Sequence, residues 1–153
     1  MAFAGGATGR AKEVDVPIGK VPKPVSAAVA ARFPHAKVTD SSSEDETGKL
    51  LYELTVRYDG RRADVTVTPE GAIVLIEETI AAGALPPAVS QALEAKYPKA
   101  KYKIVESITS VEKGAETLTA YEVLLVTSGK QRREVELAPD GKILKEEDGD
   151  EDD

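Results

Sequence analysis

Few residues in this chain of 153 are of a type that does chemistry. It has no cysteine, which removes disulfides, thiolate zinc sites, iron–sulfur clusters and cysteine nucleophiles together. His35 is the only imidazole. In a second copy of the surrounding segment its place is taken by Lys99, just after a helix-ending proline, so it reads as a solvated, inert position and not as a general base. Carboxylate pairs for acid–base work are offered by Glu77-Glu78 and by Glu134 with Glu136. Glu134 and Glu136 alternate with Val135 and Leu137 and so share one face of a strand, where acids chiefly serve solubility. No glycine-rich phosphate loop or nucleophile elbow accompanies them. No catalytic residue, metal ligand or cofactor is assigned, and a carboxylate-based enzyme is the least favoured of three readings.

Charge narrows the partners. Seven of the 27 acids lie in the tail Glu146–Asp153, which has no base; the other 20 acids balance 20 bases. A neutral body with an acidic tail argues against nucleic acid and against an anionic membrane surface, both of which need a concentrated basic patch. No run approaches the roughly 18–20 apolar residues of a membrane span. The tail and a loop at Ser41–Glu46 could attract calcium, but Asp148-Gly149-Asp150-Glu151-Asp152 lacks EF-hand spacing and a flexible tail must be ordered before it chelates. Weak divalent-cation binding by an acidic extracytoplasmic protein stands as an alternative function. Deleting Glu146–Asp153 is expected to leave the melting temperature nearly unchanged. The Gly/Ala-rich start, Ala2 to Ala11, is either a leader or the stump of a signal peptide, with no basic start or long apolar core of its own.

An internal repeat dominates the elements that must position any site. Val21–Lys37 lies over Leu85–Lys101 at an offset of 64; Tyr52-Glu53-Leu54 matches Tyr121-Glu122-Val123 at 69, and Pro69-Glu70-Gly71 matches Pro139-Asp140-Gly141 at 70. Each copy opens with a helix. Val25, Val29 and Phe33 stand four apart, as do Val89, Leu93 and Tyr97, and Pro34 and Pro98 close the helices by forcing the preceding residue out of the α region.

Beyond the helix the period falls to two. Leu50, Tyr52, Leu54, Val56 and Tyr58 alternate toward Asp59-Gly60, a two-residue type I′ turn. That turn pairs Val56 with Ala63, Leu54 with Val65 and Tyr52 with Val67. Pro69-Glu70-Gly71 makes a further turn, pairing Val67 with Ile73 and Val65 with Leu75. In the second copy a three-residue loop at Ser128-Gly129-Lys130 pairs Tyr121 with Leu137 and Val123 with Val135, and the Pro139-Asp140-Gly141 turn sets Leu144 across from Glu136. A first strand is expected near Val38–Ser42 and at Tyr102–Ile108. The fold class is therefore α+β: two tandem repeats, each a helix followed by an antiparallel meander of three or four strands, forming a shared sheet with helices on one face. The boundaries are 1–15 for a flexible leader, 16–82 and 83–147 for the repeats and 148–153 for an acidic tail. Each repeat alone has a marginal core, so the two are expected to be far less stable when separated.

These residues resemble the PepSY-like family, also described as beta-lactamase-inhibitor-protein-like. Its repeats carry a pattern similar to Leu85–Lys101, then Tyr121-Glu122-Val123, then Pro139-Asp140-Gly141-Lys142-Ile143-Leu144; the first copy departs with Phe33 for tyrosine. The resemblance covers roughly Val16 to Glu147. It implies two helix-plus-sheet repeats on one concave sheet in a typically exported bacterial protein. It also implies kinship with peptidase propeptide modules and with proteins that bind and inhibit enzymes. Its motifs are structural, so no binding residue carries over.

The sheet's second face supplies the candidate site. It is expected to hold Glu53, Thr55, Arg57, Asp64 and Thr66 in the first repeat, together with the aliphatics Val74, Ile76, Leu124, Val126 and Leu144. A solvated face should not carry five aliphatics. Val74, Ile76, Glu122, Leu124, Val126, Glu134, Glu136 and Leu144 are therefore the expected contacts for an unidentified protein or peptide, unless these residues pack where the repeats meet. The resulting expectation is a non-enzymatic, exported binding module, peptidase-associated or inhibitor-like, with no nucleic acid, no membrane insertion and no cofactor.

Overall fold

The computed structural model describes residues 13–149. The leader up to residue 12 and the tail from residue 150 lie outside them. Nine strands follow the chain from β1 to β9 without a crossover. They are β1 (Glu13–Asp15), β2 (Lys37–Glu46), β3 (Lys49–Tyr58), β4 (Arg61–Val67), β5 (Ile73–Thr79), β6 (Lys101–Glu112), β7 (Ala115–Val126), β8 (Arg132–Leu137) and β9 (Ile143–Asp148). The helices are α1 (Lys23–Arg32) and α2 (Pro87–Lys96). Two compact units divide within β5, β6 and β7. Unit 1 runs to Glu77 and includes Ser110–Glu116; unit 2 holds Glu78–Thr109 and the chain from Thr117.

In unit 1, α1 starts just after Pro22, with Pro24 in its first turn, where a missing N–H costs nothing. It ends at Phe33, ahead of Pro34. Val25, Val29 and Phe33 bury against Leu54, Val56, Ala63, Val65 and Val67 of β3 and β4. The turn at Asp59-Gly60 has φ of 47° and 74°, as type I′ requires. The register is Val56–Ala63, Leu54–Val65 and Tyr52–Val67, as the turn dictates. Gly71 has φ of 93°, and a Cβ there would sit 2.7 Å from the Pro24 carbonyl oxygen. The turn thus lies directly on the helix N-terminus.

Unit 2 repeats this construction. Val89 and Leu93 bury against Tyr121, Val123, Leu125, Val135 and Leu137. Gly141 has φ of 92°, with its hypothetical Cβ 2.5 Å from the Ala88 carbonyl oxygen. The Ser128–Lys130 loop is closed by Thr127 and Gln131, and Tyr121 pairs with Leu137 and Val123 with Val135.

Four expectations are corrected. Ser41–Glu46 is no loop but the second half of β2, paired with β3 throughout and with β1 at Ser42–Glu44. Its polar residues hide the strand, because neighbouring ladders satisfy the backbone without any apolar alternation. Glu13–Asp15, counted with the leader, form β1. Glu146–Asp148 belong to β9 and not to a free tail. Finally, Leu144 does not stand across from Glu136. Leu137 pairs with Ile143 and Glu136 with Lys145, so Leu144 is the extra residue of a bulge. The bulge returns Glu146 to the helix side, where Lys96 Nζ donates to it at 2.6 Å and the Tyr97 hydroxyl donates as well. Those two bonds hold the Glu146 carboxyl below the usual carboxylate range.

Candidate functional site

On β3 and β7 each residue before a core aliphatic faces away from the helix, and the repeated Tyr-Glu motif puts a carboxyl there in both units. In unit 1 this is Glu53, beside Leu54 of the core. Its row is Asp15, Ser42, Glu53 and Thr66; Glu13 opposite Glu44 lies on one side, and Asp40, Thr55 and Asp64 on the other. Asp64 is buried at 3 % exposure yet well held: the Thr55 hydroxyl donates to it at 2.6 Å, and Arg62 approaches both its oxygens at 3.3 Å. Among the described residues Glu53 has no such hydrogen bond or ion pair. Burial, then repulsion from Asp64, Glu13 and Glu44, outweighs Arg62 and pushes its carboxyl up to about 8. At neutral pH it holds its proton.

In unit 2 the motif glutamate is Glu122, at 4 % exposure. Glu106 of β6, equally buried, brings a carboxylate oxygen within 4.8 Å of one of Glu122's. Facing carboxylate oxygens this close form a donor set of the kind that hard cations take. Glu106 escapes the sequence pattern because Tyr102 and Val105 both reach the core side, so strict alternation cannot run along β6. The matching irregularity in unit 1 is the register shift between Val38 and Asp40. The offset of 64 makes Ser42 the counterpart of Glu106, and this was the available signal.

The expected contacts separate by depth. Leu124, at 2 % exposure, lies on the same face as Glu122; a Cβ on Gly149 would come 2.8 Å from its Cδ1, so backbone just past β9 covers it. Val126, Glu134 and Glu136 are half-buried around it, and Leu144 is 49 % exposed on the bulge. Ile76 belongs to the core of unit 1 with Val25 and Val29 and does not reach the second face. Val74 lines a groove of about 460 Å³ with Ala28, Ile73, Ile76 and Val111, rimmed by Glu116. Glu116 forms a bidentate pair with Arg32 at 3.0 and 3.1 Å. His35 is exposed.

Two units, each a helix on antiparallel strands with a motif glutamate on the face turned from that helix, define an α+β module. The family described as beta-lactamase-inhibitor-like, PepSY-like matches residues 8–75 and again 65–145, and the chain belongs to it. No curated protein matches significantly. Solved structures share the fold. A protein of Bacteroides eggerthii provisionally described as periplasmic is 16 % identical, with a TM-score of 0.69 over 85 % of this chain and 90 % of that one. A DUF2874 family protein of Bacteroides uniformis is 20 % identical, with a TM-score of 0.66 over 83 % and 88 %. A BLIP-like protein of Bacteroides fragilis is 19 % identical, with a TM-score of 0.62 over 90 % and 93 %.

Proposed function

We propose that the chain is a non-enzymatic, extracytoplasmic module that binds a protein or peptide through the sheet face opposite α2, in the manner of an inhibitor or a peptidase-associated domain. The observation that carries this reading is the patch on β7 and β8. Val126, Glu134 and Glu136 stay half-exposed around the buried Leu124, while α2 and the core lie on the other face. A half-exposed Val126 edged by Glu134 and Glu136 suits a partner with a small apolar anchor and a basic rim. Membership in a beta-lactamase-inhibitor-like family favours a protein partner, and the B. eggerthii protein's description favours a periplasmic setting. Among the described residues no helix is long and apolar enough to cross a membrane.

The test compares two baits in an extracytoplasmic extract: the natural chain and Glu136→Lys. The variant should melt as the natural chain does and lose a partner that the natural chain retains. Identical recovery by both baits would remove this face from the reading. A second reading, divalent-cation binding, is favoured by the Glu106–Glu122 pair. It expects calcium to raise the melting temperature of the natural chain but not of Glu122→Gln.

A further inference from the structure

The first three ladders bring carboxyls from four strands of unit 1 onto one face. β1 contributes Glu13 and Asp15, β2 contributes Asp40 and Glu44, β3 contributes Glu53, and β4 contributes Asp64. Glu13 stands directly opposite Glu44, a like-charge pair that weakens a ladder. Among the described residues, the cation that lowers Glu53 is Arg62, which Asp64 already engages. Of the strands involved, β1 is held least. It has three residues, all exposed. Just past it, the Val16 N–H donates to the Ser41 carbonyl at 3.0 Å and the Ser41 hydroxyl donates to the Val16 carbonyl. β2 and β3, by contrast, pair along ten-residue strands.

We propose that β1 is a pH-released strap, closed on β2 while the Glu53 carboxyl is protonated and let go when that carboxyl ionises. Ionisation places a further negative charge among Glu13, Glu44 and Asp64. Peeling a three-residue edge strand removes Glu13 and Asp15 from that face with the smallest loss of paired backbone. The position of the Glu53 carboxyl, pushed up to about 8, sets the release just above neutrality, and burial with Glu13 and Glu46 nearby raises Glu44 in the same direction. Once released, β1 leaves the outer edge of β2 with unpaired N–H and C=O groups, the form of edge to which another strand can add.

Amide hydrogen exchange of the intact chain tests this, with protection factors corrected for the intrinsic pH dependence, from about pH 6 to about pH 9.5. Protection of the Val16 amide should fall roughly tenfold or more through a midpoint near 8, while Leu54 and Val65 keep theirs. Glu53→Gln should abolish the fall. Glu13→Gln should keep it but move the midpoint down, because a repulsive neighbour of Glu53 is gone. Constant Val16 protection, an equal fall in Glu53→Gln, an unmoved midpoint in Glu13→Gln, or a fall of Val16 in step with Leu54 and Val65 would each overturn the strap.

Discussion

Glu53 shows how one side chain makes stability depend on pH. Burial and the neighbouring acids push its folded-state carboxyl up to about 8 from an ordinary value of 4.5. Below the ordinary value both folded and unfolded chains are protonated. Between the two values the unfolded chain ionises while the folded chain keeps its proton, so stability declines as pH rises through this window and levels off above it. Urea denaturation at about pH 5, 7 and 8.5 should show that decline in the natural chain and a flatter profile in Glu53→Gln. The turn glycines offer a second comparison. Gly60 and Gly141 both have positive φ, but only Gly141 has a carbonyl oxygen where a Cβ would go. Gly60→Ala should cost about 1 kcal/mol for the left-handed backbone alone. Gly141→Ala should cost about 2–4 kcal/mol, because the turn must also draw back from α2. Matched chemical melts of the two variants decide it.

At the scale of elements, β9 is the strand whose importance the acidic tail conceals. Glu146 accepts hydrogen bonds from Lys96 and Tyr97 at the end of α2, and it pairs with Val135 on the backbone. Gly149 donates to the Arg132 carbonyl at 3.0 Å and covers Leu124. Deleting residues from Glu146 onward therefore removes half a strand and uncovers an aliphatic side chain. The melting temperature should fall by about 5 °C or more. A deletion beginning at residue 150 should leave it nearly unchanged, and calorimetry on the two truncations separates them. Glu146→Gln alone should show a smaller loss that disappears at low pH, since a carboxyl held below its ordinary value stabilises only while it is ionised.

For the whole molecule, the chain is not cut where its repeats are. Unit 1 includes Ser110–Glu116, whose Val111 packs against the core containing Ile76 and whose Glu116 clasps Arg32. A fragment of residues 1–82 lacks both contacts. It should melt well below the intact chain and bind a hydrophobic dye through the opened groove at Ala28, Ile73 and Val74. A fragment as stable as the intact chain would show that the Ser110–Glu116 segment contributes nothing to the core of unit 1.

What the sequence determined by itself is whatever depends on near neighbours along the chain. The helices are set by four-residue spacing and terminal prolines. The Tyr52–Val67 and Tyr121–Leu137 registers are set by short loops, because a hairpin with a fixed turn has only one pairing. The motif glutamates Glu53 and Glu122 were visible as a repeat, though not the burial of Glu122. Tertiary structure decided the rest. The bulge at Leu144 turns Glu146 toward α2, and the irregularity between Tyr102 and Val105 turns Glu106 toward Glu122; each interrupts the period of two on which a reading of faces depends. Ser41–Glu46 is a strand because β1 and β3 lie on either side of it, not because of its own residues. Leu124 is buried because backbone 25 residues further along the chain covers it. Side-chain depth, unlike turn geometry, is fixed by residues distant in the chain, and no local pattern records which of them arrives.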